Sequence, residues 1–394
     1  MATPKLRFKE FDGDWSAFTL EHLAEVERGK FSVRPRNDPR YFGGEMPFVQ
    51  TGDVTGSDVY LKGYTQTLNE DGIRVSKVFP ADTILITIAA NIGDTTITQY
   101  PVACPDSVVA IQPKQDKANT IFLKNIIDLQ KDNLDSQATQ NAQKNINLQV
   151  LKPLELIVPS KEEQTKIASF LSAVDEKISQ LTQKYELLSE YKRGMMQKLF
   201  SQQIRFKVDD GSEFGEWLSE RISKVFTNKS KSFNPLLNES LPCIELEHLS
   251  QNTGQILGTV NSSDQQSTKN LFEPNSVLYG KLRPYLRKFA KPQFKGVCSS
   301  EIWVLTGLKI SNDYLFQFVQ SEQFTELTNI QSGSKMPRAD WNVIADAEIE
   351  FPCLEEQTKI ANFLAAIDQK IEVVTHQIEQ AKQWKKGLLQ QMFV

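Results

Sequence analysis

A chain of 394 residues, 40% hydrophobic and 24% charged, is long enough for two or three packed domains and has the balance of a globular rather than a disordered protein. Its formal net charge of −4 excludes a global basic field drawing it onto polyanions, so any nucleic-acid site must be a local patch. Four scattered cysteines without CxxC pairing, Cys104, Cys243, Cys298 and Cys353, argue against zinc and for reduced thiols. The N-terminal "MATPKLRFKEFDGDW" has no apolar signal core, and the longest apolar stretch, "TILITIAANIG", is too short and too interrupted to span a bilayer. These features point to a cytoplasmic protein.

In chain order, residues 1–157 read as an α+β domain. "EMPFVQTGDV", "TILITIAAN", "TTITQY" and "VVAIQP" are expected strands, and "ANTIFLKNIIDLQKDNL" an expected helix. The stretch from Arg28 to Gly44 carries five basic residues against one acid, with Phe31, Tyr41 and Phe42 between them. Proline and glycine break it, so it is a loop or strand edge rather than a charged helix face. Gln137 to Gln149, "QATQNAQKNINLQ", is rich in side chains suited to base edges and phosphates, though a polar loop has the same composition.

Residues 158–201 read as one long helix. Ile167, Leu171, Val174, Ile178, Leu181, Tyr185, Leu188, Lys192, Met195 and Leu199 alternate spacings of four and three, a heptad seam. Ser160 and Glu163, after Pro159, have the spacing of a capping box. Residues 202–351 read as a second α+β domain, with "LPCIELEHL", "NSVLYGKL", "EIWVLTG" and the helical "DYLFQFVQSEQFTEL". Here Lys281 to Lys295 has six basic residues and no acid, and "QSGSKMPRADW" (Gln331 to Trp341) parallels the polar segment of the first half. Residues 352–394 form a second long helix with the seam Ile360, Leu364, Ile367, Ile371, Val374, Ile378, Ala381, Lys385, Leu388 and Met392. Cys353 stands where Ser160 stands in the first, so this cap should be weaker.

The two helices are copies. "EEQTKIASFLSAVDEKI" from Glu162 and "EEQTKIANFLAAIDQKI" from Glu355 share thirteen of seventeen positions at an offset of 193 residues. "KRGMMQKLF" and "KKGLLQQMF" line up at the same offset, and weaker echoes run through both globular halves. The chain is therefore expected to be a tandem duplication, each helix roughly 60 Å long. A heptad seam alone would equally suit dimerisation between molecules; the duplication supplies both strands within one chain and favours pairing there. Lys192 and Lys385 interrupt the seams at matching positions, as register-fixing polar residues do. An antiparallel, symmetric register would set Gly194 near Ala365 and Ala366, and Gly387 near Ser172 and Ala173, small against small.

No chemistry is visible. G-x-G-x-x-G and G-x-x-x-x-G-K-[ST] are absent, "FNPLL" is not a methyltransferase N-P-P-[YF], and "PDSVVAIQPK" has Gln112 where a nuclease carboxylate would stand. His22, His248 and His376 form no motif. The expectation is a chain that positions something, with no catalytic or metal site of its own.

The order globular–helix–globular–helix, "PSKEEQTKIASFLSAVDEKI" with "PCLEEQTKIANFLAAIDQKI", "KLRPYLRKF" before "GVCSSEIWVL", and "GSKMPRADW" resemble the specificity subunit of a Type I restriction–modification system over nearly the whole chain. "GGEMPFVQTGDV" and "AQKNINLQVLKPLELIVP" are the first half's versions, but "TIAANIGDT" replaces the basic K-L-R-P-Y-L block there, which puts Asn91 in doubt as a DNA contact. The resemblance implies two target-recognition domains, each reading half of a bipartite DNA target. Between them an antiparallel coiled coil with pseudo-twofold symmetry sets the spacing. It implies two methyltransferase subunits as partners, carrying S-adenosylmethionine, and restriction motor subunits; the alternative is a coiled-coil scaffold without nucleic acid. The residues expected at DNA are Arg34, Arg36, Arg40, Gln143, Lys144 and Asn145 in the first half, and Lys281, Arg283, Tyr285, Arg287, Lys335 and Arg338 in the second.

Overall fold

The computed structural model describes residues 3–89, 91–138, 145–330 and 336–393. The chain forms two compact units, Met1–Thr182 with His376–Val394, and Gln183–Thr375. Both long helices are continuous: α1, Lys161–Phe200, and α2, Leu354–Met392. The compact units thus differ from the four sequential segments expected from sequence. Each is a globular half joined by the start of its own following helix and the end of the other helix, because those helix ends complete its core.

In the first unit, strands Ala24–Arg28, Val108–Pro113, Ile84–Thr87 and Thr95–Ile97 form one antiparallel sheet in that order. Gln66–Leu68, Phe42–Phe48, Val102–Ala103 and Val78–Phe79 form a second, in which Phe48 pairs parallel with Ala103. "VVAIQP" reads as a near-continuous apolar run because both of its faces are covered. Val109 and Ile111 join Ile84, Ile86 and Phe122 on one side; Val108 and Ala110 join Leu85, Val102 and Phe79 on the other. Helix Thr120–Asp128, capped by Asn119, covers the first side.

The second unit repeats the plan. Phe226–Thr227, Ile302–Gly307, Val277–Gly280 and Phe289–Ala290 form the first sheet. Ser232–Phe233, Lys269–Phe272, Gly296–Cys298, Pro242–Ile244 and Val260–Asn261 form the second. Val277, Tyr279 and Leu305 face one core, Leu278, Ile302 and Val304 the other. In both units the expected single helix is two: Thr120–Asp128 then Lys131–Ser136, and Asn312–Phe318 then Glu322–Thr328. Ser321 starts the last by accepting from the Phe324 amide, which breaks the run. The expected strands "EMPFVQTGDV" and "LPCIELEHL" also end early, at Phe48 and Ile244. Helical turns Thr51–Thr55 and Leu246–His248 follow, each with reciprocal capping bonds.

A two-stranded ribbon launches each long helix: Ser16–Thr19 with Glu155–Val158, and Leu218–Arg221 with Glu348–Phe351. The repeated "EEQ" is explained there. Glu163 is buried and accepts two bonds from Arg7, both 2.7 Å; Glu356 accepts from Arg205 at 3.1 and 2.7 Å and from the Trp217 indole at 3.2 Å. Gln164 accepts from the Asn119 amide and donates to the Lys117 and Pro159 carbonyls. Gln357 repeats this with Ser311, Lys309 and Pro352. The expected capping box at Ser160 is therefore only half formed. The Ser160 hydroxyl accepts from the Glu163 amide at 3.4 Å, but the Glu163 carboxylate is spent on Arg7.

The second repeated block, ending in phenylalanine, closes the cores. Phe393 packs against Trp15 and Phe122, at 6.5 and 5.1 Å between ring centroids, in the first unit. Phe200 packs on Tyr314 and Phe318 in the second.

Within each unit the helix ends run antiparallel, and the seam lysines have defined partners. In the first unit Lys385 meets Asp175 at 2.6 Å; in the second Lys192 meets Asp368 at 2.6 Å. The 193-residue offset maps one pair onto the other. Seam residues Ile167, Leu171, Val174 and Leu181 are buried in the first unit, as are Ile360, Leu364, Ile367 and Val374 in the second; Ile178, Leu188, Ile371 and Ile378 are half-buried. One expectation fails: a Cβ placed on Gly194 or Gly387 would meet nothing within 4 Å, so these glycines do not serve close helix approach. The lysine–aspartate pairs hold the register, leaving open space at the glycines.

Candidate nucleic-acid interface

In the second unit, Lys281 follows strand Val277–Gly280 and opens the loop "KLRPYLR". Arg283 and Arg287 both have left-handed backbone, φ 52° and 48°, bracketing the turn Pro284–Leu286. Non-glycine residues hold that conformation only where surroundings enforce it. The Arg283 amide donates to the Pro337 carbonyl at 2.8 Å, and the Ala339 amide to the Lys281 carbonyl at 2.9 Å. Leu282 and Arg338 pair as an isolated antiparallel bridge. Two segments more than fifty residues apart in sequence therefore form one surface. Arg283 and Tyr285 are exposed upon it, and Lys281 is half-buried. Arg338 pairs with Glu301 at 3.0 Å, an acid that sequence reading overlooked although it stands in the quoted "SSEIW".

Arg287 sits differently. Its guanidinium donates to the Gln320 carbonyl, turned into the unit and away from the exposed side chains. Lys335 lies outside the described residues.

The first unit has the same junction. The Ile146 amide donates to the Ile88 carbonyl at 3.0 Å, and Ala89 bridges Asn145, the positions at which the offset of 193 places Ala339, Lys281, Leu282 and Arg338. Asn145 thus takes the place of Arg338, and Ile88 that of Lys281. Gln143 and Lys144 lie outside the described residues. Asn91 is exposed, with its amide 3.5 Å from the Thr55 hydroxyl.

The basic loop of this unit reaches the junction through Asp106. Arg36 pairs with Asp106 at 2.8 Å, and the Ile88 amide donates to the carbonyl of the next residue, Ser107, at 3.1 Å. Arg34 folds back onto the Val33 carbonyl at 2.8 Å. Arg40 grips Asp38 at 2.7 Å and stands over the Tyr41 ring. Hydrogen bonding to Arg40 holds the Asp38 carboxyl below its ordinary range, and the same contact raises Arg40. The second unit offers Lys229 and Lys231 in the comparable loop, both exposed and without an ion pair among the described residues; the run "NKSKS" was the signal for them.

Burial pushes the Cys104 thiol up to about 12 and Cys243 to about 11, so these are inert core residues. Among the described residues no helix is long and apolar enough to cross a membrane.

The chain is thus a duplicated two-domain protein, in which two α+β domains of one plan each present the same loop junction. The Type I restriction modification DNA specificity domain family matches residues 12–190 and 221–383, and the chain belongs to that family. It is similar to the Type I restriction enzyme MjaVIII specificity subunit of Methanocaldococcus jannaschii, 23% identical over 385 residues, spanning 89% of this chain and 88% of that protein. A putative type I restriction enzyme MjaX specificity subunit of the same organism is 23% identical over 414 residues, 98% of this chain and 94% of that protein. Among solved structures, the S subunit of a Type-I restriction-modification system from M. genitalium has the same fold. Its TM-score is 0.63 at 16% identity, covering 100% of this chain and 99% of that one. A chain from a structure concerning complex assembly and conformational transition of the type I R-M system gives 0.57 at 13% identity, covering 97% and 98%.

Proposed function

We propose that this chain is the non-catalytic, sequence-reading subunit of a Type I restriction–modification complex. Each α+β unit reads one half of a bipartite DNA target. The two continuous helices set the unread spacer and dock two methyltransferase subunits, which supply S-adenosylmethionine and methylate adenine; restriction motor subunits join them. The observation that carries this reading is the duplicated junction. One backbone frame, Ile146 on Ile88 and Ala339 on Lys281, is built twice with different exposed side chains. That is what two readers of different base sequences require.

In the second unit Lys281, Arg283, Tyr285 and Arg338 face the duplex, with Lys229 and Lys231 adding phosphate contacts. In the first, Asn145 and Arg36 do so, with Arg34 and Arg40 flanking. Partner subunits closing around the duplex would offset the net negative charge of this chain. The test is base-resolution mapping of adenine methylation in cells co-expressing this chain with its methyltransferase subunit. A bipartite motif of fixed internal spacing, absent without this chain, is the expected result. A continuous motif, or the same pattern without this chain, returns it to the scaffold class.

A further inference from the structure

A partly buried polar chain, with Gln317 and Gln320 buried at its centre, ties the exposed loop of the second unit to the helix pair. The Arg287 guanidinium donates to the Gln320 carbonyl, and the Gln320 side-chain oxygen accepts from Lys192 Nζ at 2.7 Å. Lys192 pairs with Asp368 at 2.6 Å, and Asp368 accepts from Gln317 at 3.2 Å. The Gln320 amide is fixed in turn on the Phe316 carbonyl at 2.8 Å. Arg287 thus reaches α1 and α2 through a single glutamine.

The duplication supplies an internal control. In the first unit Lys385 and Asp175 make the same helix-to-helix pair. The matching bonds of the Thr87 amide to the Asp94 carbonyl and of the Gly280 amide to the Lys288 carbonyl put Gly93, φ 86°, at the place of Arg287, and those of the Asn119 and Ser311 amides to Gln164 and Gln357 put Asp128 at that of Gln320. Gly93 carries no side chain, and Asp128 holds Lys124 Nζ at 2.6 Å instead. The helices therefore keep register without an arginine–glutamine link, and the link is not demanded by the fold. What the second unit has in addition is a loop with two left-handed arginines and two exposed heads, Arg283 and Tyr285. A loop held in that backbone needs an external tether. The Arg287 carbonyl is also used, accepting from the Asn252 amide at 3.0 Å.

We propose that Arg287 is a positioning residue rather than a DNA contact, and that Gln320 and Lys192 transmit the position of the helix pair to the loop carrying Arg283 and Tyr285. The proposal rests on the reading of that loop as a DNA reader. A phosphate contact, a base contact and a tether lose different things when removed. Losing a phosphate contact weakens all sequences alike and lowers the salt slope by about one; losing a base contact relaxes one position. Losing a tether relaxes several positions of one half-site together and leaves the salt slope unchanged.

The experiment measures binding by the full chain assembled with its methyltransferase subunits, on the mapped target and on duplexes changed one base pair at a time, across a salt series. For Arg287→Ala the expected result is a roughly tenfold loss of discrimination spread over the second unit's half-site. The other half-site and the salt slope stay as in the parent. Gln320→Ala, which keeps the carbonyl but cuts the link to Lys192, moves the same positions in the same direction; its loss and that of Arg287→Ala do not add when combined. Arg287→Lys, still able to donate to a carbonyl, restores most of the discrimination. A fall in the salt slope, relaxation at one position only, or unchanged discrimination in both alanine variants overturns the proposal. If Arg287→Ala does not fold, Gln320→Ala decides alone. A parent complex without sequence preference would fail the underlying reading instead, and is recognised before any variant is made.

Discussion

At the scale of single residues, the two basic loops differ in how far their charges are already spent. Arg36 and Arg40 each hold a carboxylate, Asp106 and Asp38, whereas Arg283 makes no ion pair among the described residues. An exposed pair contributes about 0–1 kcal/mol, so DNA can displace it, but the carboxylate stays behind and repels phosphate. Asp106→Ala should therefore raise the affinity of the assembled complex for DNA of any sequence by a few-fold at low salt, and the gain should vanish as salt screens it. Binding isotherms at two ionic strengths check this; unchanged affinity at low salt would place Arg36 and Asp106 away from the duplex. Arg338 is held by Glu301 in the same way, so both halves contain arginines oriented by an acid. Sequence reading found the arginines because they cluster with aromatic residues in broken segments. It overlooked the acids because Asp106 lies 70 residues from Arg36 and Glu301 lies 37 from Arg338.

At the scale of elements, the long helices were legible almost to their ends, since a seam repeated twice leaves little choice of period. Their partners were half legible. Lys192 and Lys385 stood out as interruptions, but Asp175 and Asp368 lie inside the repeated signature, where an acid on a helix surface attracts no attention. The glycines misled for a physical reason: spacing alone puts Gly194 and Gly387 opposite small residues, and only the packing reveals that the space there is open. Glycine in a helix interior costs about 1 kcal/mol relative to alanine, and here a methyl group has nothing to strike. Gly194→Ala and Gly387→Ala should each raise the stability of the full chain by about 0.5–1 kcal/mol, read as an upward shift in the urea midpoint with unchanged slope. A loss of stability from either would mean the helices approach more closely there in solution. The short strands were less legible. Phe48 and Ile244 end theirs because capping bonds at Gln50 and Glu245 turn the backbone into helix, a competition that an apolar run does not reveal.

At the scale of the whole molecule, duplication reconciles two demands. The helix starts must be buried in the same way twice, which keeps the Arg7–Glu163 and Arg205–Glu356 pairs and their glutamine neighbours alike. The junctions must differ, which leaves Ile88 and Asn145 in one unit where Lys281 and Arg338 stand in the other. The α+β class and the repeat could be read from the sequence because burial constrains both copies equally. The junctions could not, because they depend on bridges between segments more than fifty residues apart, and three of the expected contact residues fall outside the described chain. If each unit reads its own half-site, damage to one junction must stay local. Arg283→Ala should relax methylation at one position of one half of the mapped motif, at a cost of about 1–3 kcal/mol in discrimination. The other half and the internal spacing should be untouched, because neither Arg36, Asn145 nor the helices change. Relaxation appearing in both halves would mean that the two units do not read independently, and that the loop after Lys281 acts on the assembly as a whole rather than on its own bases.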